Sequence, residues 1–276
     1  MRGRDLYSGL ARSTIGVMII LIHSSKTMKQ RPVAETPHQP QLLAKARQLD
    51  AYLKTLQPAQ LAKVMGISGA LAQKTHSAIA DWNDTPAEQS LAIDTFVGDI
   101  YSGLRGTDLS PADRAYADTV LRILSGLYGI LRPLDGISPY RLEMGYKLPS
   151  PDYADLYRFW GKDIVQTLPT DGLIVNVSSV EYSKTITPFV DQSRVVTPQF
   201  LTVSPDTGEP TFVVVHAKIA RGAFARWLIT TRITNAADFT QFAEIGYVYD
   251  AALSTPQAPA FVAQEFGGKG LSMRLS

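Results

Sequence analysis

Apolar residues follow two different periods along the chain, and both predict regular elements. Residues 17–22 are continuously apolar and mostly β-branched or aliphatic, which is typical of a strand buried on both faces of a sheet. Residues 41–56 carry apolar side chains at a spacing near 3.6, which predicts an amphipathic helix. Helical and strand patterns then mix without strict βαβ alternation. The pattern predicts an α/β fold of the mixed α+β type, in one large domain with a mixed sheet and flanking helices.

A helical hairpin is predicted as an insertion into this domain. Pro58 begins a helix where its missing N–H costs nothing, and residues 61–79 predict helix, tight turn and helix. The turn at 66–69 somewhat resembles a helix-hairpin-helix element, whose glycine loop presents N–H groups to a phosphate. Its glycine spacing departs from that element by one residue, so a simple helix corner is the alternative.

The remaining segments are predicted from local pattern. Residues 95–104 suggest a strand interrupted at Gly98-Asp99, and Ser110 caps a helix running toward Leu124. Residues 154–168 predict another amphipathic helix. Strands are predicted at 173–177, 194–203, 211–215, 246–250 and 261–266, the last two as possible edge strands.

The amino-terminal residues suggest an extension rather than a leader. Arginines precede the apolar run as in a signal peptide, but the run is short and lacks a small-residue cleavage site. We therefore expect residues 1–16 to be a disordered extension and 17–276 to be the domain, with Met18 as a possible true start. No other segment approaches the roughly 20 apolar residues of a membrane span. A cytoplasmic monomer without membrane association is expected.

Composition narrows the possible chemistry. The net charge of +2 demands no polyanionic partner, but residues 211–235 carry four bases and no acid, whereas 236–268 carry four acids and no base. The absence of cysteine excludes disulfides, thiol peroxidase chemistry and iron–sulfur clusters. The four histidines are far apart and match no metal-binding motif, so neither a metal nor a cofactor is expected.

Residues 121–145 combine glycines, prolines and arginines. Gly126 and Gly129 permit a positive φ or a close backbone approach, and Arg132 and Arg141 lie beside proline-governed turns. One interpretation is a loop that seals the core, with its arginines solvated or paired to nearby acids. The other is one wall of a binding site.

A helix near Lys218 separates basic from aromatic residues. At about 100° per residue, Arg221 lies about 60° from Lys218 on one side and Arg226 about 80° on the other, while Phe224 and Trp227 point away. An ordinary solvated face is the alternative. No acid within the helix can neutralise these bases, so they are available to an anion.

The order of residues also indicates a family. LSGLYGILRPLD followed by PYRLEMG closely resembles the signature of the YaaA family of peroxide stress proteins, and the resemblance covers nearly all of residues 18–266. His23-Ser24-Ser25 replaces the family's usual Ser-Pro-Ala before a Lys-Thr pair. The other matching positions are Lys26, Thr27, Asn176, Ser179, Glu181, Tyr182, Lys184, Lys218, Arg221, Gly222 and Arg226.

The resemblance implies a DNA-binding protein with a basic cleft that lowers free iron and DNA damage under hydroperoxide. Duplex DNA with little sequence preference is the expected partner. Arginine and lysine suit phosphate, and Tyr128, Tyr140 and Tyr182 could stack unpaired bases, with a core role as the alternative for these tyrosines. The candidate nucleic-acid-binding residues are Lys26, Arg122, Arg132, Arg141, Lys184, Lys218, Arg221 and Arg226.

An enzyme acting on a nucleotide or nucleic-acid component in the same cleft is the alternative function. Glu143 and Glu181 lie among the bases, where a carboxylate repels phosphate. They are interpreted either as orienters of arginine or as candidate catalytic acid/base groups. The Walker motif GxxxxGK[ST] is absent, which argues against an ATPase of that type.

Overall fold

The computed structural model describes residues 17–150, 152 and 154–272. The predicted extension at 1–16 lies outside the described residues. The α-helices are α1 (Leu43–Leu53), α2 (Pro58–Met65), α3 (Gly69–Asp81), α4 (Ala92–Thr95), α5 (Asp99–Leu104), α6 (Pro111–Val120), α7 (Leu156–Trp160), α8 (Asp163–Gln166), α9 (Val180–Ser183) and α10 (Val214–Thr231). The strands are β1 (Ile19–His23), β2 (Thr27–Met28), β3 (Ser90–Leu91), β4 (Phe96–Val97), β5 (Leu121–Ser125), β6 (Gly129–Leu131), β7 (Gly136–Ile137), β8 (Ile174–Asn176), β9 (Val195–Val196), β10 (Gln199–Val203), β11 (Pro210–Thr211), β12 (Tyr247–Thr255) and β13 (Ala258–Ala263).

The larger sheet has five strands in the order β6-β5-β1-β8-β9. Strand β1 lies at its centre, parallel to β5 and to β8, and only β6 runs antiparallel. The first four residues of β1 are buried, as the apolar run predicts. Because β1, β5, β8 and β9 run in the same direction, their carboxyl ends meet at one edge, where ligands of open α/β sheets bind.

The second sheet has four strands in the order β11-β10-β13-β12. Residues 199–202 pair in parallel with β13, and β12 forms the outer edge as predicted. The edge position predicted for the last strand is wrong, because β13 lies between β10 and β12 and pairs with both. Phe200, Phe224, Phe242 and Phe261 pack edge-to-face or stacked between this sheet and α10. The same hydrophobic core continues into β1 and β5, so both sheets share one buried interior. This α/β arrangement confirms the predicted fold class.

The hairpin of α2 and α3 is present as predicted. Gly66 ends α2 in the left-handed conformation (φ 61°), and the Ser68 hydroxyl accepts a hydrogen bond from the Leu71 N–H to cap α3. Pro58 is the first residue of α2. The turn therefore has the chemistry of two ordinary helix caps joined back to back.

Helices α5 and α10 cross with their backbones in contact. A Cβ on Gly222 would lie 1.8 Å from the Ile100 carbonyl oxygen, and one on Gly103 would lie 2.0 Å from that of Ile219. Only glycine allows this approach. The strand predicted at 95–104 is wrong beyond Val97, because this glycine contact gives residues 99–104 a helix partner.

Other boundaries differ for identifiable reasons. The helix beginning at Pro111 ends at Val120, where the chain enters the central sheet as β5. The helix predicted over 154–168 is interrupted at Gly161, whose φ is 51°. Residues 194–203 form β9 and β10, which belong to different sheets, and only Thr211 of the predicted strand 211–215 lies in a strand because α10 begins at Val214.

Candidate functional site at the carboxyl edge of the central sheet

Polar residues follow the ends of three neighbouring strands. His23 ends β1 and is followed by Ser24, Ser125 ends β5, and Asn176 ends β8. Ser24, Ser125 and Asn176 are buried. Ser24 and Ser125 hydrogen-bond to tyrosines of other segments, and Asn176 accepts from Ser178 in its own turn. Residues 138–147 pass over this edge and contribute Tyr140, whose hydroxyl lies 2.6 Å from the Ser125 hydroxyl. The fold thus concentrates polar side chains at one end of the sheet.

The segment from Asn176 to Tyr182 connects the loops at this edge through hydrogen bonds. The Asn176 amide oxygen accepts hydrogen bonds from the N–H and hydroxyl of Ser178 and folds the turn after β8. The Glu181 carboxylate accepts the N–H of Gly145 at 2.7 Å. The Tyr182 hydroxyl accepts from Ser24 at 3.2 Å. Glu181, one of the two catalytic candidates, therefore holds the backbone of the overlying segment.

His23 is neutral and has a defined tautomer. Its Nδ1 accepts the Ser179 backbone N–H at 3.2 Å, so the proton of the neutral ring lies on Nε2. Its ring stacks on Tyr182, with centroids 5.1 Å apart. Burial, reinforced by the positive charges of Arg221 and Lys218, lowers the pKa of His23 to about 3. The edge therefore presents a polar but uncharged ring beside two cations.

Glu143 connects a lysine with a tyrosine. Its carboxylate lies 3.0 Å from the Lys26 ammonium and also accepts a hydrogen bond from the Tyr146 hydroxyl. Burial, followed by the charge of Glu143, raises the pKa of Tyr146 to about 12. Arg141 is close enough for its charge to act on the same tyrosine, and its buried Nε has no hydrogen-bond partner among the described residues.

Lys218 and Arg221 approach the edge from the first turns of α10. Arg221 lies over the ring of Phe212, 6.0 Å from its centroid, and Phe212 is 56% exposed. Burial lowers the pKa of Arg221 from its ordinary value. Within the part of the chain that the structure describes, neither cation has a carboxylate within ion-pair distance.

Five of the eight predicted basic residues share this edge. Lys184 is exposed at the end of α9 and comes shortly after the segment from Asn176 to Tyr182, whose hydrogen bonds connect the loops at this edge. We call Lys26, Arg141, Lys184, Lys218 and Arg221 the basic edge. These are the cations that the fold brings to one end of the sheet.

The structure does not bring the other three to the basic edge. Arg122 donates to the carbonyls of Asp118 and Leu121 at the amino end of β5. Arg132 lies at that same end and pairs with the buried Asp135, its Nε 3.1 Å from the carboxylate. Both arginines therefore bind groups of the protein itself, away from the basic edge.

Arg226 also lies away from the basic edge. It donates to the carbonyls of Leu104 and Arg105 beside the end of α5. It follows Lys218 by eight residues, roughly 12 Å along the helix axis. A helical-wheel projection does not show this separation, because it gives only the angle of each residue and ignores distance along the helix axis.

The tyrosines proposed for base stacking are mostly inside the protein. Tyr128 is 0% exposed and Tyr182 is 3% exposed, and Tyr140 packs edge-on against Tyr128. Burial raises the pKa of all three hydroxyls. The core interpretation is therefore right for Tyr128 and Tyr182.

Sequence reasoning missed the roles of His23 and Tyr146. His23 was visible only as a replacement within the loop after β1, and its signal was a polar residue ending an apolar strand. Tyr146 directly follows the conspicuous glycine-rich signature. Among the described residues, no group of three or more His, Asp or Glu is arranged to hold a metal ion. No described helix is long and apolar enough to cross a membrane.

The fold and site define a mixed α/β protein with a cationic, polar cluster at the carboxyl edge of its central sheet. A family model described as peroxide stress protein YaaA matches residues 18–253, and the chain belongs to this family. A UPF0246 protein of Salinispora tropica is 60% identical over 258 residues, covering 93% of this chain and 98% of the relative. The family description supports a role in peroxide stress, as the sequence signature predicts.

Proposed function

We propose that the protein binds DNA along the basic edge and thereby helps limit DNA damage and free iron under hydroperoxide stress. The main support is the placement of Lys218 and Arg221 beside neutral His23 without a carboxylate partner among the described residues. Phosphate would supply the missing anion, and an arginine fork binds it in two-pronged fashion. Lys26, which pairs with Glu143, and Lys184 are both exposed, and exposed lysines contact phosphates without strict geometry.

Duplex DNA with little sequence preference is the proposed partner. The basic edge consists of lysines and arginines placed by strand ends and a helix start, which suits backbone phosphates. A nucleotide-directed reaction in the same place is the second candidate, favoured by Glu143, a partly buried acid in contact with Lys26.

Salt-dependent binding tests the proposal directly. Fluorescence anisotropy with a random-sequence duplex is measured for the wild type, Lys218→Ala/Arg221→Ala and the same-helix control Arg226→Ala. Because each lost phosphate contact reduces the slope of log K against log salt by about 0.9, we expect the double variant to lose about 1.8 of slope and the control to keep it. Undetectable wild-type binding at low salt, or equal effects of both variants, would refute DNA binding at this edge.

The cellular part needs a separate measurement. A deletion strain is complemented with the wild type or the double variant and challenged with hydroperoxide, and DNA lesions and chelatable iron are measured. We expect the double variant to restore neither to wild-type levels. Full protection by a variant that no longer binds DNA would separate peroxide protection from DNA binding.

A further inference from the structure

A cavity lies between the helical hairpin and the segment that covers the sheet edge. A cavity of about 590 Å³ opens between α2 and residues 145–149. It is separate from Lys218 and Arg221, and neither the family description nor the basic edge accounts for it. Its lining residues are Gln60, Lys63, Val64, Gly145, Tyr146, Lys147, Leu148 and Pro149.

The lining combines positive charge with an apolar wall. Lys63 and Lys147 are the charged residues of the lining, and neither forms an ion pair with a described residue. Val64, Leu148 and Pro149 supply aliphatic surface beside the tyrosine ring. Small-molecule pockets of about 300–1,000 Å³ have this composition, an apolar wall with a few polar groups. A ligand carrying both a flat apolar part and an anion matches it.

The wall formed by residues 145–149 is held in place by two acids. The Glu181 carboxylate accepts the Gly145 N–H, and the Glu143 carboxylate accepts the Tyr146 hydroxyl while it pairs with Lys26. Both acids thus anchor consecutive residues of the cavity wall to the sheet edge. A wall fixed before binding reduces the ordering cost of the ligand complex. This gives Glu143 and Glu181 positioning roles within a basic region, where acids would otherwise weaken anion binding.

We propose that this cavity binds a phosphorylated ligand the size of a nucleoside monophosphate. The phosphate pairs with Lys63 and Lys147, and the base packs against Val64, Tyr146 and Pro149. The chemistry is shared by a free nucleotide and by the phosphorylated end of a strand. The site does not depend on DNA binding at the basic edge, because it uses different residues.

Calorimetric titration with deoxyadenosine 5′-monophosphate tests the site, with deoxyadenosine as the phosphate-free probe. Since a charge-assisted contact contributes enough to change affinity about tenfold, we expect Lys63→Ala and Lys147→Ala each to weaken nucleotide binding by about that factor. Lys74→Ala is the matched control, because it removes an exposed lysine of the same hairpin outside the cavity, and it should bind as the wild type does. Deoxyadenosine should bind more weakly than the nucleotide.

A second set of variants separates this site from the basic edge. Val64→Phe fills the cavity and should abolish nucleotide binding while leaving duplex binding intact, provided that its melting temperature shows a folded protein. Arg221→Ala should weaken duplex binding and leave nucleotide binding intact. The cavity assignment is overturned if the nucleotide does not bind at millimolar concentration, if Lys63→Ala/Lys147→Ala binds it unchanged, or if Arg221→Ala abolishes its binding.

A competing oligonucleotide identifies the source of the phosphate. A 5′-phosphorylated trinucleotide that displaces the mononucleotide assigns the cavity to strand ends, and one that fails to displace it assigns the cavity to free nucleotides. Both results retain the site. Weaker duplex binding with a reduced salt slope in Lys218→Ala/Arg221→Ala, together with normal nucleotide binding, would support both sites independently.

Discussion

At the residue scale, the charge of His23 depends on its three-dimensional neighbours. A protonated ring would lose the Ser179 hydrogen bond at Nδ1 and face the positive charges of Arg221 and Lys218. Burial opposes protonation further. The ring therefore stays neutral, with Nε2 as its donor, throughout the physiological pH range.

The neutral state of His23 predicts a pH-dependent stability. Because its pKa falls from 6.5 when unfolded to about 3 when folded, the unfolded state binds the proton first and stability decreases as pH falls below about 6.5. Between pH 7 and 5.5, protonation of His23 in the unfolded state should lower the free energy of unfolding by about 1.2 kcal/mol. His23→Asn keeps an acceptor for the Ser179 N–H and should remove that loss, as measured by urea unfolding at both pH values. An unchanged pH dependence in the variant would assign the loss to other groups.

Individual arginines also show why sequence proximity is a poor guide to a site. Arg122 and Ser125 are three residues apart in β5, yet that is about 10 Å along a strand, and they lie toward opposite ends of the sheet. Arg132 is held at the amino end by its ion pair with buried Asp135. Burial raises the pKa of Asp135 to about 6 in spite of the nearby arginine. The signature at 124–145 thus supplies one cation to the basic edge, Arg141, and one to the opposite end.

At the element scale, the crossing of α5 and α10 positions the basic helix. Gly103 and Gly222 let the two backbones touch. Lys218 lies about one turn of α10 before Gly222, and Arg221 directly precedes it. Asp99 at the start of α5 accepts hydrogen bonds from both the N–H and the hydroxyl of Ser272. Ser272 is therefore held against the start of α5, beside the same helix crossing.

Replacing a glycine at this crossing should separate the helices. In Gly222→Ala the new methyl group would meet the Ile100 carbonyl, so we expect a loss of at least about 3 kcal/mol in the free energy of unfolding. Gly69→Ala is the matched control, because nothing lies within 4 Å of its Cβ position, and it should be neutral or stabilising by up to about 1 kcal/mol. Chemical denaturation measures both. Equal stabilities of the two variants would show that the crossing can relax.

At the scale of the whole molecule, the two sheets share a continuous hydrophobic core. Ile20 and Ile123 of the central sheet belong to the same buried cluster as Phe200 and Phe261 of the second sheet. Helix α10 packs against β10 and also against α5 and α6. The single-domain organisation remains a prediction, and this shared core supports it.

The shared core predicts one cooperative unfolding transition. In differential scanning calorimetry we expect a single peak whose calorimetric and van't Hoff enthalpies agree. Phe200→Leu, which trims the core of the second sheet, should lower the melting temperature without splitting the peak. Two resolved transitions, with only one shifted by this variant, would indicate two independent folding units.

The sequence by itself determined the elements that depend on local chemistry. The apolar run of β1, the proline that starts α2, the caps around Gly66 and the family signature are all readable there, because each depends on neighbouring residues. Only the tertiary structure decided that 99–104 is a helix and which five of eight cations share one edge. Those outcomes depend on contacts between distant segments, such as Gly103 with Ile219 or His23 with Ser179, which local periodicity does not encode.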